Sequence, residues 1–537
     1  MQFTDKTAIS VGKTFKKARC DCFMREFISW ENDVLTVGGL LKYASEKYGN
    51  KPALKYAVKK EVFSVSYNEL FAYALAVKDY LNSVYAKSCN AGLIGRTDAR
   101  YISCMNGIFM SGKTLVPLSP DFDSDKIVAL LNDADVRILF YGAADKERIE
   151  ELKPRLPQIE MYIDMSDDEL FDRINADFYE DGEYTETALP DECAVIMYTS
   201  GTTGDYKGVM LSHRALISNV WFEEMNFEGE NVTLNVLPMH HIFCMSCDYL
   251  KNIKDGVTIC LNVELKNIYR NLLIFEPTVL RLVPMIIESL LNKIDVTSSR
   301  HPEMTKRQAG EAVFGKRLKN IIASGATLSP GLAARFENMG VTIRQGYGMT
   351  ETGPRISVPD GNTVAASGGR IISICEVRLQ NGEIQVKSPS LLMGYYKKPE
   401  ETAEMFTRDG WFKTGDIGEI TEDNELFIKG RIKNLIILSN GENVSPEEIE
   451  RAYADEPLIK EIMVFAEENG IAASFYPDYE YAEHNGITDV DGEIRKIVDR
   501  INLSFESTRE ISRLYIRKTP FERTASGKII RNQEKTA

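Results

Sequence analysis

The sequence predicts an α/β protein of more than one domain, and three observations carry that expectation. A chain of 537 residues is too long for one core. Helical and strand-like patterns alternate from roughly residue 35 to roughly residue 165, as they do where helices cover sheets. From residue 376 the pattern changes to short strands, and the last hundred or so residues read as a small α+β unit.

In order, residues 1–30 read as a lead-in, and Leu35, Leu40, Leu41, Tyr43 and Ala44 fall at helical spacing. Strands are expected at 53–57 and 63–67, then a helix over 67–84 with Leu70, Ala74, Val77, Leu81 and Val84 on one face. A strand at 136–140 and the apolar run 193–197 follow, the latter of the length and β-branched content of a buried strand. Residues 209–211 read as its return strand, and Ser212 as the N-cap of a helix carrying Ala215, Leu216 and Val220. Further strands are expected at 232–237, 278–283 and 341–345, with a Pro284-led helix after the second. Asn381-Gly382 between 376–379 and 383–386 signals a hairpin. Ser445-Pro-Glu-Glu448 reads as a helix start with a capping box, and 491–505 as a helix.

Composition narrows the function classes. With 27% charged and 44% hydrophobic residues the chain is globular rather than disordered. A balance of 64 basic against 79 acidic residues, net −15, argues against non-specific nucleic-acid or anionic-membrane binding. Any polyphosphate must therefore be held by a local arrangement. No apolar run approaches the roughly 20 residues of a transmembrane helix, and the N-terminus lacks the apolar core of a secretory signal. Nine scattered cysteines fit a reducing cytoplasm, the expected location. Cys244-Met-Ser-Cys247 has redox or metal-pair spacing, but no second pair follows at zinc-finger distance, and structural thiols are expected.

The strand at 193–197 empties into Tyr198-Thr-Ser-Gly-Thr-Thr-Gly-Asp-Tyr-Lys-Gly208. Glycines let backbone N–H groups turn inward, Thr199, Ser200, Thr202 and Thr203 add donors, and Lys207 adds a fixed charge; together they describe a polyphosphate cradle. An ordinary Ser/Thr/Gly turn is the alternative, but the string is longer than a turn requires. Gly107-Ile-Phe-Met-Ser-Gly-Lys-Thr114 matches the P-loop pattern letter for letter. It lacks the strand before and the helix after that the mechanism needs, so it reads as coincidence. His240 and His241 follow a strand end, where exposed histidines are common and a cleft position is the functional alternative. Ser324-Gly325 and Gly346-Tyr347 bring small residues and an aromatic to two further strand ends, as though a flat ligand lay against the backbone.

Five segments together closely resemble the adenylate-forming superfamily of acyl-CoA synthetases, peptide-synthetase adenylation domains and firefly luciferase. They are 198–208, Leu237-Pro-Met-His-His241, Gly346-Tyr-Gly-Met-Thr-Glu351, Gly415-Asp416 with Gly430-Arg431, and Ser526-Gly-Lys528, in the family's order. The resemblance covers roughly residues 35–532 and is strongest to fatty acyl-CoA synthetases. It implies a large N-terminal domain (1–432) of α/β layers plus a distorted β-barrel, and a small mobile α+β domain (433–537) hinged at Lys433. It implies that Thr199, Ser200, Gly201, Thr202, Thr203, Gly204 and Lys207 hold the β- and γ-phosphates of ATP. Gly325, Ala326, Thr327, Gly346 and Tyr347 would sandwich adenine, Thr350 would contact the α-phosphate, and Glu351 would ligate Mg²⁺. Asp416 and Arg431 would fix the ribose, Gly441 would line a pantetheine channel, and Lys528 would join Thr350, Glu351 and His241 in the catalytic set. The implied partners are a small carboxylic acid, ATP and CoA, or an acyl or peptidyl carrier protein's phosphopantetheine in place of CoA. Outside that class stand a non-catalytic nucleotide-binding relative and an NTPase using Lys113. Ile242 stands where peptide-synthetase domains usually carry Asp, which favours an uncharged acyl chain. Tyr206 replaces a usual Pro, and Cys244 a common Gly.

Overall fold

The computed structural model describes residues 34–59, 61–178, 184–200, 206–222, 230–325, 328–438, 442–467, 470–523 and 529–531. Two seven-stranded sheets dominate. The first runs Thr342–Gln345, Asn320–Ala323, Val279–Leu282, Val232–Asn235, Thr258–Leu261, Pro52–Val58, Glu61–Ser66, parallel except for the last hairpin. The second runs Gly394–Tyr395, Tyr206–Ser212, Cys193–Ser200, Thr114–Leu118, Asn90–Ile94, Val136–Tyr141, Met161–Asp164, antiparallel in its first two pairings and parallel thereafter.

Helices Val37–Tyr48, Tyr67–Val84 and Ala99–Met110 fill the space between the sheets, where Leu40, Val77 and Ile102 meet Leu54 and Leu93 in one apolar cluster. Separate clusters cover the outer faces, Leu272, Ile287 and Phe336 on the first sheet and Ile127, Leu139 and Leu152 on the second. The helix over 67–84 has the expected limits, and Ser66 caps it in a reciprocal box with Glu69. Its neighbour needs Gly107, because a Cβ there would lie 2.5 Å from Val77. The glycine that opens the P-loop lookalike thus serves helix crossing.

Between Tyr347 and Arg431, the strands other than Gly394–Tyr395 form a three-stranded and a four-stranded sheet, joined by an isolated bridge between Arg370 and Glu425. Among the described residues they do not close into a barrel. The Asn381-Gly382 turn has both residues at positive φ, 53° and 81°, as a tight hairpin between Glu376–Gln380 and Glu383–Lys387 requires. A smaller α+β unit follows, with strands Ile459–Glu467, Gly470–Pro477 and Ile511–Ile516 packed on helix Val490–Asn502.

One local expectation fails. The helix Pro446–Arg451 starts at Ser445 as expected, but no side chain caps it. The Ser445 hydroxyl instead donates to the Lys429 carbonyl at 2.9 Å and lies 3.0 Å from Glu447 Oε2, because the preceding strand brings an acceptor nearer than the helix's own N–H groups. The segment after His241, for which the sequence offered no expectation, is helical. Phe243–Leu250 is a π-helical stretch that continues into helix Lys251–Asp255 and buries both Cys244 and Cys247.

His213, first residue of helix His213–Ser218 under the Ser212 cap, is buried between the layers; Val37 N–H donates to its Nδ1 at 3.4 Å and Phe109 packs against its ring. Burial pushes its pKa down to about 4. The unfolded chain takes up this proton below about 6.5 and the folded chain only below about 4, so falling pH favours unfolding across that window. Denaturant titrations from pH 6.5 to 4 are expected to lose on the order of 3 kcal/mol through this group. His213→Gln should flatten the slope by that amount, and an unchanged slope would contradict the assignment.

Candidate active site

Four parallel neighbours of the first sheet, ending at Asn235, Leu282, Ala323 and Gln345, deliver the chain to one edge. Open parallel sheets collect ligands there, because the turns leaving the strands point polar backbone outward. Gly325 stands at φ +90° beyond one strand end, and Gly346 N–H donates to the Ala323 carbonyl at 3.0 Å beyond the next. A Cβ on Gly348 would lie 1.8 Å from the Pro354 carbonyl, so the turn into Thr350–Thr352 accepts glycine alone.

That turn carries Tyr347, Thr350 and Glu351. The Tyr347 hydroxyl donates to Asp416 Oδ2 at 2.7 Å, and Arg431 Nε holds Asp416 Oδ1 at 2.9 Å. Asp416 and Arg431 are direct partners in the ladder between Phe412–Ile420 and Leu426–Arg431, so strand register alone sets this pair. Glu351 accepts the Tyr395 hydroxyl on Oε1 at 2.9 Å. Burial pushes the Glu351 carboxyl above its ordinary range, against the pull of its own backbone N–H, the Tyr395 hydroxyl and the charges of Arg431 and Lys207.

Those two cations reach Glu351 from different parts of the chain. Lys207 is the cross-strand partner of Thr199, whose hydroxyl is 3.5 Å from the Lys207 carbonyl. The Lys207 ammonium is ion-paired with Glu401 and sits 4.9 Å from the Tyr395 ring centroid. Sequence reasoning picked out neither Tyr395 nor Glu401. Gly394-Tyr-Tyr-Lys-Lys-Pro-Glu-Glu401 has no motif-like look, and its part is set by an edge strand docking on Tyr206–Ser212.

The ring contacts of His241 run toward Tyr206. The His241 ring centroid is 4.5 Å from that of His240, which packs at 6.3 Å on Phe122, itself 6.4 Å from Tyr206. Lys126 stands over both Phe122 and Tyr206, at 3.4 and 4.2 Å from their ring centroids. Burial first, and then neighbouring cations, pushes the His240 pKa down to about 3. The Tyr206 that replaces the usual Pro therefore anchors the loop arm by a cation–aromatic contact. The Cys244 thiol donates to the Leu237 carbonyl at 2.8 Å, tying the π-helical stretch to the end of the strand.

Ser200 ends its strand at the loop, and Gly201, Thr202, Thr203, Gly204, Ala326, Thr327, Gly441 and Lys528 lie outside the described residues. Lys433 sits in the short turn Ile432–Asn434. Asn434 donates to Glu447 at 2.5 Å, and Arg531 contacts Glu447 at 3.3 Å and Glu450 at 2.8 Å, so the chain on either side of the small unit meets on one helix. Lys113 is buried against Asn82, with its Nζ 3.2 Å from Oδ1, between a helix and a strand.

A family model described as AMP-binding enzyme matches residues 41–396, and one described as AMP-binding enzyme C-terminal domain matches 433–536. The chain belongs to the AMP-binding enzyme family. Among curated relatives, this AMP-binding enzyme is 31% identical over 307 residues to 4-coumarate–CoA ligase 1 of Arabidopsis thaliana, a match spanning 52% of each chain. It is 26% identical over 473 residues to the long-chain-fatty-acid–CoA ligase of Thermus thermophilus, covering 81% of this chain and 84% of that one. In structure it is similar to the anthranilate CoA ligase AuaEII in complex with anthranoyl-AMP, with TM-score 0.79 at 18% identity over 92% of this chain and 96% of that one. It is also similar to the Mycobacterium tuberculosis fatty acyl CoA synthetase, with TM-score 0.67 at 22% identity over 93% and 97%. These structural likenesses establish the adenylate-forming fold. No helix among the described residues is long and apolar enough to cross a membrane.

Two lysines now compete for the nucleotide, and a binding measurement separates them. Lys207→Met should weaken ATP binding at least tenfold, the scale of one charge-assisted contact, and Lys113→Met should leave it within about twofold. The reverse order in isothermal titration would restore the P-loop reading.

Proposed function

We propose that this AMP-binding enzyme activates a carboxylic acid with ATP to an acyl-adenylate and then passes the acyl group to CoA, releasing pyrophosphate and AMP. The observation that carries the reading is the convergence of Lys207, Glu351, Tyr347, Asp416 and Arg431, contributed by four separate stretches of chain. In the first step a substrate carboxylate oxygen bonds to the α-phosphorus and the bond to pyrophosphate breaks. Two anions must approach, so catalysis comes from positioning and cationic stabilisation. Lys207, with the loop at 199–204, holds the β- and γ-phosphates, and Thr350 meets the α-phosphate. Gly325, Ala326, Thr327, Gly346 and Tyr347 hold adenine, and Asp416 with Arg431 holds the ribose. Lys528 bridges the substrate carboxylate and the α-phosphate, and His241 completes the catalytic set. In the second step a thiol sulfur bonds to the acyl carbon, its proton leaves, and AMP departs with the anhydride oxygen. The small unit turns at Lys433 between the steps, withdrawing Lys528 and bringing Gly441 to the pantetheine arm.

Magnesium fits the residues present. Glu351 is a single half-buried carboxylate with one oxygen engaged by Tyr395, and no group of three or more His, Cys, Asp or Glu side chains stands ready to cage a metal among the described residues. Mg²⁺ commonly takes one or two protein carboxylates and completes its shell with phosphate oxygens and water. When bound there it would neutralise phosphate charge.

A medium- or long-chain fatty acid is the proposed substrate. Buried, apolar Ile242 supports an uncharged acyl group, and the Thermus relative that aligns over most of both chains is named for long-chain fatty acids. The Arabidopsis relative favours a second reading, an aryl acid of the 4-coumarate type. Carboxylate-dependent ATP–pyrophosphate exchange over fatty and aryl acids, followed by thioester formation with CoA or carrier protein, separates these readings. Fatty acids with CoA should give the highest kcat/KM, and a tenfold preference for an aryl acid would overturn the substrate assignment. Lys528→Ala should lose on the order of 10²-fold or more in exchange while remaining folded. Lys433→Pro should keep exchange and lose thioester formation, and equal loss of both would refute the hinge.

A further inference from the structure

The stretch from Leu392 to Glu401 touches both phosphate-side groups at once. Its backbone is fastened to each: Leu392 N–H donates to the Glu351 carbonyl at 2.8 Å, Met393 N–H to Met210 at 2.8 Å and Tyr396 N–H to Gly208 at 2.7 Å. Tyr395 pairs with Val209, and its own N–H donates to Thr402 Oγ1 at 2.8 Å, so the residue is held from both sides. It is buried, with 5% of its surface exposed. One face of the ring receives the Lys207 ammonium, and the hydroxyl donates to Glu351 Oε1. Glu401, on the helix Pro399–Glu404, carries the opposite charge to Lys207 and is half exposed. Lys398 lies 3.4 Å from the same carboxylate, so Glu401 retains a cationic neighbour if Lys207 turns elsewhere.

We propose that Tyr395 is a positioning residue that holds Lys207 and Glu351 at a fixed spacing, and that Glu401 is the counter-ion Lys207 exchanges for the terminal phosphates of the nucleotide. This rests on the assignment of Lys207 and Glu351 to polyphosphate and magnesium. The geometry gives each part its own signature. The ring seats the ammonium, the hydroxyl orients the carboxylate, and the Glu401 carboxylate competes with phosphate for one cation.

The test is equilibrium binding of ATP and of pyrophosphate to the full chain, with excess chelator and again across a magnesium series. Glu401→Gln removes the competitor, and metal-free ATP and pyrophosphate should bind about two- to fivefold tighter, the scale of a solvent-accessible ion pair. Tyr395→Leu removes the seat and should weaken metal-free binding by about two- to fivefold, which Tyr395→Phe restores because it keeps the ring. Tyr395→Phe should still cut the magnesium-dependent gain in ATP affinity by up to about tenfold, through the lost hydrogen bond to a charged group. A purely structural Tyr395 would not divide its effects between ring and hydroxyl in this way. Thermal melts identify any variant that has not folded, and Glu401→Gln, at a half-exposed site, tests the counter-ion independently of Tyr395. If wild type binds neither ligand, the underlying phosphate assignment fails. If wild type binds but Glu401→Gln is no tighter and Tyr395→Phe responds to magnesium as wild type does, the proposal is overturned.

Discussion

A protein of net charge −15 that holds a polyphosphate must concentrate positive charge where its overall field opposes it. It must also keep those cations stable when no phosphate is near. The solution here is a partner for each: Glu401 for Lys207, Asp416 for Arg431. The two partners differ in burial. Asp416 is 4% exposed and shared with Tyr347, so its pair is a fixed part of the wall. Glu401 is more open and shared with Lys398, so its pair is open to exchange. Partial exposure lowers the cost of separating two charges, and the architecture puts that exposure at the carboxylate paired with Lys207.

The backbone enforces these pairings more than side-chain chemistry does. Asp416 faces Arg431 because two antiparallel strands share a register, and Tyr395 faces Lys207 because a two-residue edge strand pairs beside Val209. Side chains on one face of a ladder cannot drift without shifting the whole strand. The first sheet contributes in the same manner, since four parallel strands ending at one edge gather segments distant in sequence.

Much of the scaffold was legible in the sequence because its signals are local. The helix Tyr67–Val84, the hairpin around Asn381-Gly382 and the strand pair flanking the phosphate loop follow from periodicity and turn chemistry within a few residues. The P-loop lookalike was legible too, because its neighbours have the wrong secondary structure; Gly107 lies inside a helix and Lys113 is buried against Asn82. Where reading failed, a distant group had intervened. Ser445 forgoes its capping box for the Lys429 carbonyl.

By itself the sequence determined the α/β layering, the order of the motifs and the residue types a nucleotide site would need. These depend on hydrophobic period, turn residues and short strings, all fixed along the chain. Only the tertiary structure decided which charges neutralise one another. Tyr395 and Glu401 belong to no local pattern, and they acquire their part because strand pairing brings them to Lys207 and Glu351. Coulomb and hydrogen-bond energies depend on distance in space, and that distance is set by the register of strands that the chain assembles from far apart.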